Sequence, residues 1–165
     1  MGSTDIAATL ATGKTWLRVP ETIKIDINGS IQDYVTPKDI VLYMLSLLGV
    51  DGALYQTLEI TGSVIDSLDI EGRLTICNMA VESGAKAGII FVDDKTIKFY
   101  QEYGISKDEY EIIDSDQDAT YSNKVELDVS DLSPVVAMPY SPSNVKKIDQ
   151  LDDSEKVNIN QVVIG

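Results

Sequence analysis

The side chains best placed to act on one ligand are Asn78 and Glu82. They lie in the stretch TICNMAVESGA (75–85), which also holds the only cysteine, Cys77. On a helix, residues four apart share a face, so this pair presents a hydrogen-bond donor and a carboxylate together. The same spacing also describes two polar residues on a solvated face. Cys77 has no histidine to activate it and lies between Ile76 and Asn78, with Met79 close by. It reads as a small buried hydrophobe rather than a nucleophile.

Two other stretches resemble ligand loops and fail on their details. ATGKTW contains Gly13-Lys14-Thr15, but a phosphate-binding loop needs a glycine where Ala8 stands, and the segment follows a helical pattern rather than a strand. DSDQDATYSNKVE spaces Asp114, Asp116 and Asp118 like a calcium loop. It places Ala119 where the sharp turn needs glycine and Val125 where the bidentate glutamate belongs. The stretch reads as a solvated acidic loop.

Composition narrows the chemistry further. The 165 residues carry 13 basic and 27 acidic side chains, a net charge of -14, which argues against nucleic acid and against an anionic membrane surface as partners. No apolar run is long enough to span a bilayer. MGSTDI has Ile6 where a myristoylation signal wants Ser or Thr, and the N-terminus lacks the pattern of a secretory signal. A single cysteine fits a reducing, cytoplasmic setting. With no histidine, the chain cannot by itself build a Ser-His-Asp or Cys-His system or a histidine-ligated metal site. One cysteine cannot hold an iron–sulfur cluster alone.

The positioning elements alternate. STDIAATLATGKTWL starts a helix that Gly13 ends. ETIKIDINGS reads as a strand and turn. TPKDIVLYMLSLLGVDG is a helix with Thr36 as N-cap, Pro37 at its first position and Asp39 in its first turn. ALYQTLEITG is a strand, and DSLDIEGRLTICNMAVESGAKAG is one long helix closed by Gly84. GIIFV is a short buried strand, DDKTIKFYQEYG a helix opened by Asp93 or Asp94, and KVELDVSDLSPVVAMPY a strand with a Pro-marked turn. VNINQVVIG reads as a last strand. The pattern predicts an α/β layered domain with a mostly parallel sheet flanked by helices.

GSTDIAATLATGKTW, VPETIK, PKDIVLY, DGALYQTLEITG, EGRLTICNMAVESGAKAGI and PYSPSNV occur in this order in one family. The chain resembles an internal piece of the aconitase superfamily, nearest to the large subunits of the 3-isopropylmalate dehydratase and homoaconitase branch. The resemblance implies a parent hydro-lyase that isomerises 2-isopropylmalate to 3-isopropylmalate, in leucine biosynthesis, by removing and re-adding water at a [4Fe-4S] cluster. It also implies a small, swivelling-domain subunit as partner and a hydroxy-dicarboxylate as substrate.

Under this resemblance residues 1–18 are the helix that ends domain 1, 19–155 are aconitase-type domain 2, and 156–165 are the first strand leading into domain 3. The cluster cysteines and catalytic histidines fall on either side of the chain, which is therefore expected to be inactive alone and to bind no cluster or metal. Asn78 matches an asparagine that hydrogen-bonds behind the cluster's ligands. Glu82 matches a glutamate paired with an active-site histidine near the iron-bound water. Asp5 matches a structural aspartate, Cys77 a position that is not a ligand, and Arg73 is a weaker candidate to face the anionic site. The alternatives are a homoaconitase or aconitase large-subunit fragment, or a stand-alone non-catalytic module derived from this family.

Overall fold

A computed structural model of the chain describes residues 3–155 and 158–163. Helix α1 (Ser3–Thr12) buries none of its residues and stops at Gly13, whose positive φ lets its N–H reach back to the Thr9 carbonyl. Strand β1 (Thr22–Asn28) follows, with Ile23, Ile25 and Ile27 on its buried side. Helix α2 (Pro37–Leu48) has the predicted cap: Thr36 and Asp39 form a reciprocal capping box, with Pro37 at the start. Asp39 does more than cap. Its other carboxylate oxygen accepts the Val135 N–H at 2.8 Å, tying the helix start to a distant segment.

Strand β2 (Thr57–Thr61) comes next. The single helix expected after it is broken. Helix α3 (Ser63–Ser67) ends where Leu68 turns extended, and α4 (Ile70–Met79) begins under a new cap, Asp69, whose carboxylate accepts the Gly72 N–H at 2.8 Å. An aspartate that bonds the backbone two or three residues ahead favours a helix start over a helix interior. After Met79 the chain tightens into a 3-10 turn, Ala80–Ser83, closed by Gly84 in the left-handed region.

Strand β3 (Ala87–Ile89), helix α5 (Asp94–Glu102, capped by Asp93) and strand β4 (Asn123–Asp128) complete the main layer. Strands β5 (Val135–Ala137) and β6 (Val145–Lys147) pair as an antiparallel hairpin. The sequence pattern misses β6, which is three residues long and ends in two lysines. The last predicted strand is not formed. Residues 158–163 are exposed and carry no ladder, because no neighbouring strand is there to receive their backbone groups; Lys156, Val157, Ile164 and Gly165 lie outside the described residues.

The main sheet is wholly parallel, in the order β3-β2-β1-β4. Ile23 faces Leu58 and Ile25 faces Ile60, while Ile25 and Ile27 meet Val125 and Leu127 on the other flank. This face buries Ile40, Val41 and Met44 of α2, Val64 and Ile65 of α3, and Ile76 of α4. Each such isoleucine or leucine contributes about 1.5–3 kcal/mol of burial. The opposite face is polar, with Lys24 in register with Glu59 and Lys124. Glu59 is nonetheless buried: the hydroxyls of Ser115 and Tyr121 each donate to it at 2.7 Å, and Lys24 stands 3.7 Å away. The acidic stretch is thus partly ordered as a strap over this face, anchored on a carboxylate that lies between Leu58 and Ile60.

Candidate functional site

Helix α4 and the 3-10 turn hold the candidate pair. Asn78 is in the last turn of α4, and Glu82 is in the 3-10 turn. A 3-10 turn advances about 120° per residue against about 100° in an α-helix, so Glu82 swings away from the face it would share with Asn78 on a continuous helix. Both side chains are exposed, and neither has a hydrogen-bond or ion-pair partner among the described residues. Glu82 lines an open hollow of about 540 Å³ with Thr36, Lys38, Leu42, Met79 and Pro142, and Asn78 stands outside it. The hollow depends on Val135–Ala137 of β5, which α2 holds through Asp39.

The pair sits at an unusual edge. Open parallel sheets commonly bind ligands beyond the carboxyl ends of their strands, where strand order reverses. Here that point lies between β1 and β4, and it is filled. Ser130 accepts the Ser30 N–H at 3.3 Å, its own N–H donates to Asp128 at 2.8 Å, and its carbonyl accepts Gln32 Nε2 at 2.7 Å. A Cβ on Gly29 would come within 2.5 Å of both Asp128 and Ser130 side chains, so only glycine fits there. The Glu82 turn lies at the other end. The Ser83 and Gly84 carbonyls accept the N–H groups of Ala53 and Tyr55, in the loop that leads into β2. The backbone of the Glu82 turn is therefore tied to the amino edge of the sheet.

The other candidates fall in structural roles. Arg73 is buried; its Nε donates to the Ile65 carbonyl at 3.2 Å and its guanidinium pairs with Asp93 at 2.6 Å. It locks α4 to α3 and to the start of α5. The Arg73 guanidinium holds the Asp93 carboxyl well below the usual carboxylate range. A depressed folded-state pKa adds stability that is present above the unfolded value and is lost as pH falls through the folded one. We expect the chain to lose stability in acid below about pH 4, and an Asp93→Asn variant to lose less over that range, read by thermal melts at stepped pH. Asp93 is partly exposed, so solvent screening keeps the effect small.

Cys77 is half-buried against an apolar hollow formed with Ile70, Leu74, Ile89 and Phe91, and burial pushes its thiol pKa up. β3 approaches so closely that a Cβ on Gly88 would meet the Cys77 backbone at 3.1 Å. Asp5 lies inside the first turn of α1, where a carboxylate suits the positive end of the helix.

A four-stranded parallel sheet flanked by helices is consistent with an aconitase-type domain, and the family model for the aconitase family (aconitate hydratase) matches residues 1–163. The chain belongs to that family. It is similar to the 3-isopropylmalate dehydratase large subunits of Clostridium kluyveri (45% identical) and Caldicellulosiruptor saccharolyticus (47%), and to large subunit 1 of Pyrococcus furiosus (48%). Each likeness covers 100% of this chain and 38% of the relative, so the chain spans well under half the length of the proteins it matches. No helix among the described residues is long and apolar enough to cross a membrane.

Proposed function

We propose that this chain is the Asn78- and Glu82-bearing part of a larger hydro-lyase that interconverts 2-isopropylmalate and 3-isopropylmalate by dehydration and rehydration, a step of leucine biosynthesis in the cytoplasm. The observation that carries the reading is the exposed Glu82 carboxylate on the wall of an open hollow, in a chain similar along its whole length to large subunits of that name. The working partners are the rest of the large subunit, a small subunit, and the hydroxy-dicarboxylate. The domain division we propose is 1–18, 19–155 and 156–165, and the absence of any buried residue in α1 supports the first boundary.

A parent of this class carries a [4Fe-4S] cluster, which supplies Lewis-acid chemistry at the substrate hydroxyl. The donors of this chain do not fit it as ligands. There is one thiol and no imidazole, and that thiol lies against apolar walls that favour its neutral form over the thiolate a metal needs. What the chain offers is a carboxylate able to accept a hydrogen bond from an imidazole or water of the assembled site, and an amide able to donate to a sulfur or oxygen acceptor. The backbone of α4 and its 3-10 turn fixes both.

On this reading the chain alone is inactive. Purified chain treated with iron and sulfide under anaerobic conditions should show no cluster absorbance after desalting. A retained band, or turnover of 2-isopropylmalate by the chain alone, would contradict the assignment.

A further inference from the structure

A carboxylate in the first turn of a helix is ordinarily left in water, but Asp39 is buried. Capping α2 occupies one of its oxygens: Oδ2 accepts the N–H of Thr36 at 2.8 Å and also the Thr36 hydroxyl. Oδ1 accepts the Val135 N–H, 96 residues away along the chain. A helix cap asks for neither the burial nor the second oxygen.

The Val135 N–H needs an acceptor outside its own hairpin. The Ile148 N–H donates to the Pro134 carbonyl at 2.9 Å, which makes Val135 and Lys147 a non-hydrogen-bonded pair of the antiparallel ladder. The N–H of Val135 therefore points away from β6, while its side chain packs against the core. β5 and β6 form a separate two-stranded sheet, with no ladder to the main one. The bonds from Lys147 to the Asp131 carbonyl and from Ser133 to Asp149 stay inside the same segment. Asp39 supplies a polar tie from the helical layer to this hairpin.

The hairpin forms a wall of the Glu82 hollow, through Val135, Val136, Ala137 and, in its connecting loop, Pro142. Glu82 has no hydrogen-bond or ion-pair partner among the described residues, so the shape of the hollow is what limits its carboxylate. We propose that Asp39 is a positioning residue for Glu82. By holding Val135 it seats the β5–β6 hairpin on α2, and the seated hairpin fixes where the Glu82 carboxylate can go. The proposal rests on the reading of Glu82 as a working group.

Three variants separate the seat from the cap. Asp39→Ala removes both. Val135→Pro removes the donor alone, since that N–H has no ladder partner and proline is tolerated at the first residue of a strand. Asp39→Asn keeps an amide oxygen for Val135, while the Thr36 N–H loses its carboxylate. In the proposed full-length large subunit, assembled with the proposed small subunit and cluster, kcat should fall about 10–100-fold in Asp39→Ala and Val135→Pro, with KM changed less than about threefold. Asp39→Asn should rescue kcat to within about threefold of wild type, with a Tm still about 2–4 °C low for the damaged cap. If Asp39 were purely structural, kcat would follow Tm and Asp39→Asn would be as impaired as Asp39→Ala. That pattern, or full kcat in a folded Val135→Pro enzyme, would overturn the proposal.

Hydrogen exchange on the 165-residue chain reads the seat without catalysis. The Val135 amide should exchange roughly tenfold or more faster in Asp39→Ala than in wild type or Asp39→Asn, as expected when local opening is made easier. Equal rates in all three would also overturn the proposal. Glu82→Gln assayed alongside keeps the two failures apart. Unchanged kcat in that variant removes the reading of Glu82 itself, whereas a loss there with none in Val135→Pro removes only the seating role of Asp39.

Discussion

Replacing Glu82 with Gln in the proposed full-length large subunit, assembled with the proposed small subunit and cluster, should lower kcat for 2-isopropylmalate by about 10²–10⁴, the range a positioned acid–base group contributes. The substitution keeps the shape and removes the charge and the proton-accepting capacity. If Glu82 sets the proton position on a neighbouring imidazole or water, kcat falls while KM changes little. The fold should not register the change. Glu82 is exposed and bonded to nothing among the described residues, so the stability of the 165-residue chain, read by thermal melt, should stay within about 0.5 kcal/mol of wild type. That split separates a working carboxylate from a solvated one. An unchanged kcat would place Glu82 on an ordinary polar surface. Asn78→Ala should act in the same direction and more weakly, because an amide contributes a hydrogen bond and no charge.

The largest stability effect is expected at Gly62. It follows β2, opens α3, and has a φ of +115° that side-chain-bearing residues rarely adopt. A Cβ there would stand 2.2 Å from the Ile27 carbonyl oxygen and 2.6 Å from its nitrogen. Ile27 belongs to the central strand and is fully buried, so its backbone cannot yield without disturbing the ladders to β2 and β4. Gly62→Ala combines backbone strain with a backbone clash and should cost about 4 kcal/mol or more, against a total stability of roughly 5–15 kcal/mol. For a chain of this length that lowers Tm by about 10 °C or more in a thermal melt. Gly13→Ala is the natural comparison. Its φ is also positive, but a Cβ there meets nothing within 4 Å, so only the backbone term remains and the loss should be near 1 kcal/mol.

The layer architecture was legible because its signals are local. Thr36, Pro37 and Asp39 each have one favoured place at a helix start, and all take it. Ile23, Ile25 and Ile27 alternate with polar residues because β1 has one apolar and one polar face. What escaped the sequence depends on competition or on distant partners. The continuous helix predicted across Leu68 fails because Asp69 gains more as a cap than as a helix interior residue. The final strand fails for want of a neighbour. Glu59 gave no sign that Ser115 and Tyr121 would fold back onto it, although a lone carboxylate between Leu58 and Ile60 marks the position.

The candidate site was half legible in the same sense. The spacing of Asn78 and Glu82 is written in the chain, but the hollow beside Glu82 is completed by Ala137 and Pro142, more than fifty residues later. Only the fold brings those together. The tightening from α-helix to 3-10 turn after Met79 also separates two side chains that a regular helix would align.

The central claim is that Glu82 belongs to a composite reaction site completed by residues outside this chain. A crystal structure of the full-length, cluster-loaded large subunit with its small subunit tests it most directly. The account predicts a Glu82 carboxylate oxygen within about 3.2 Å of an imidazole nitrogen or an ordered water, in a closed space shared with the cluster. A Glu82 side chain open to bulk solvent and remote from the cluster would contradict it.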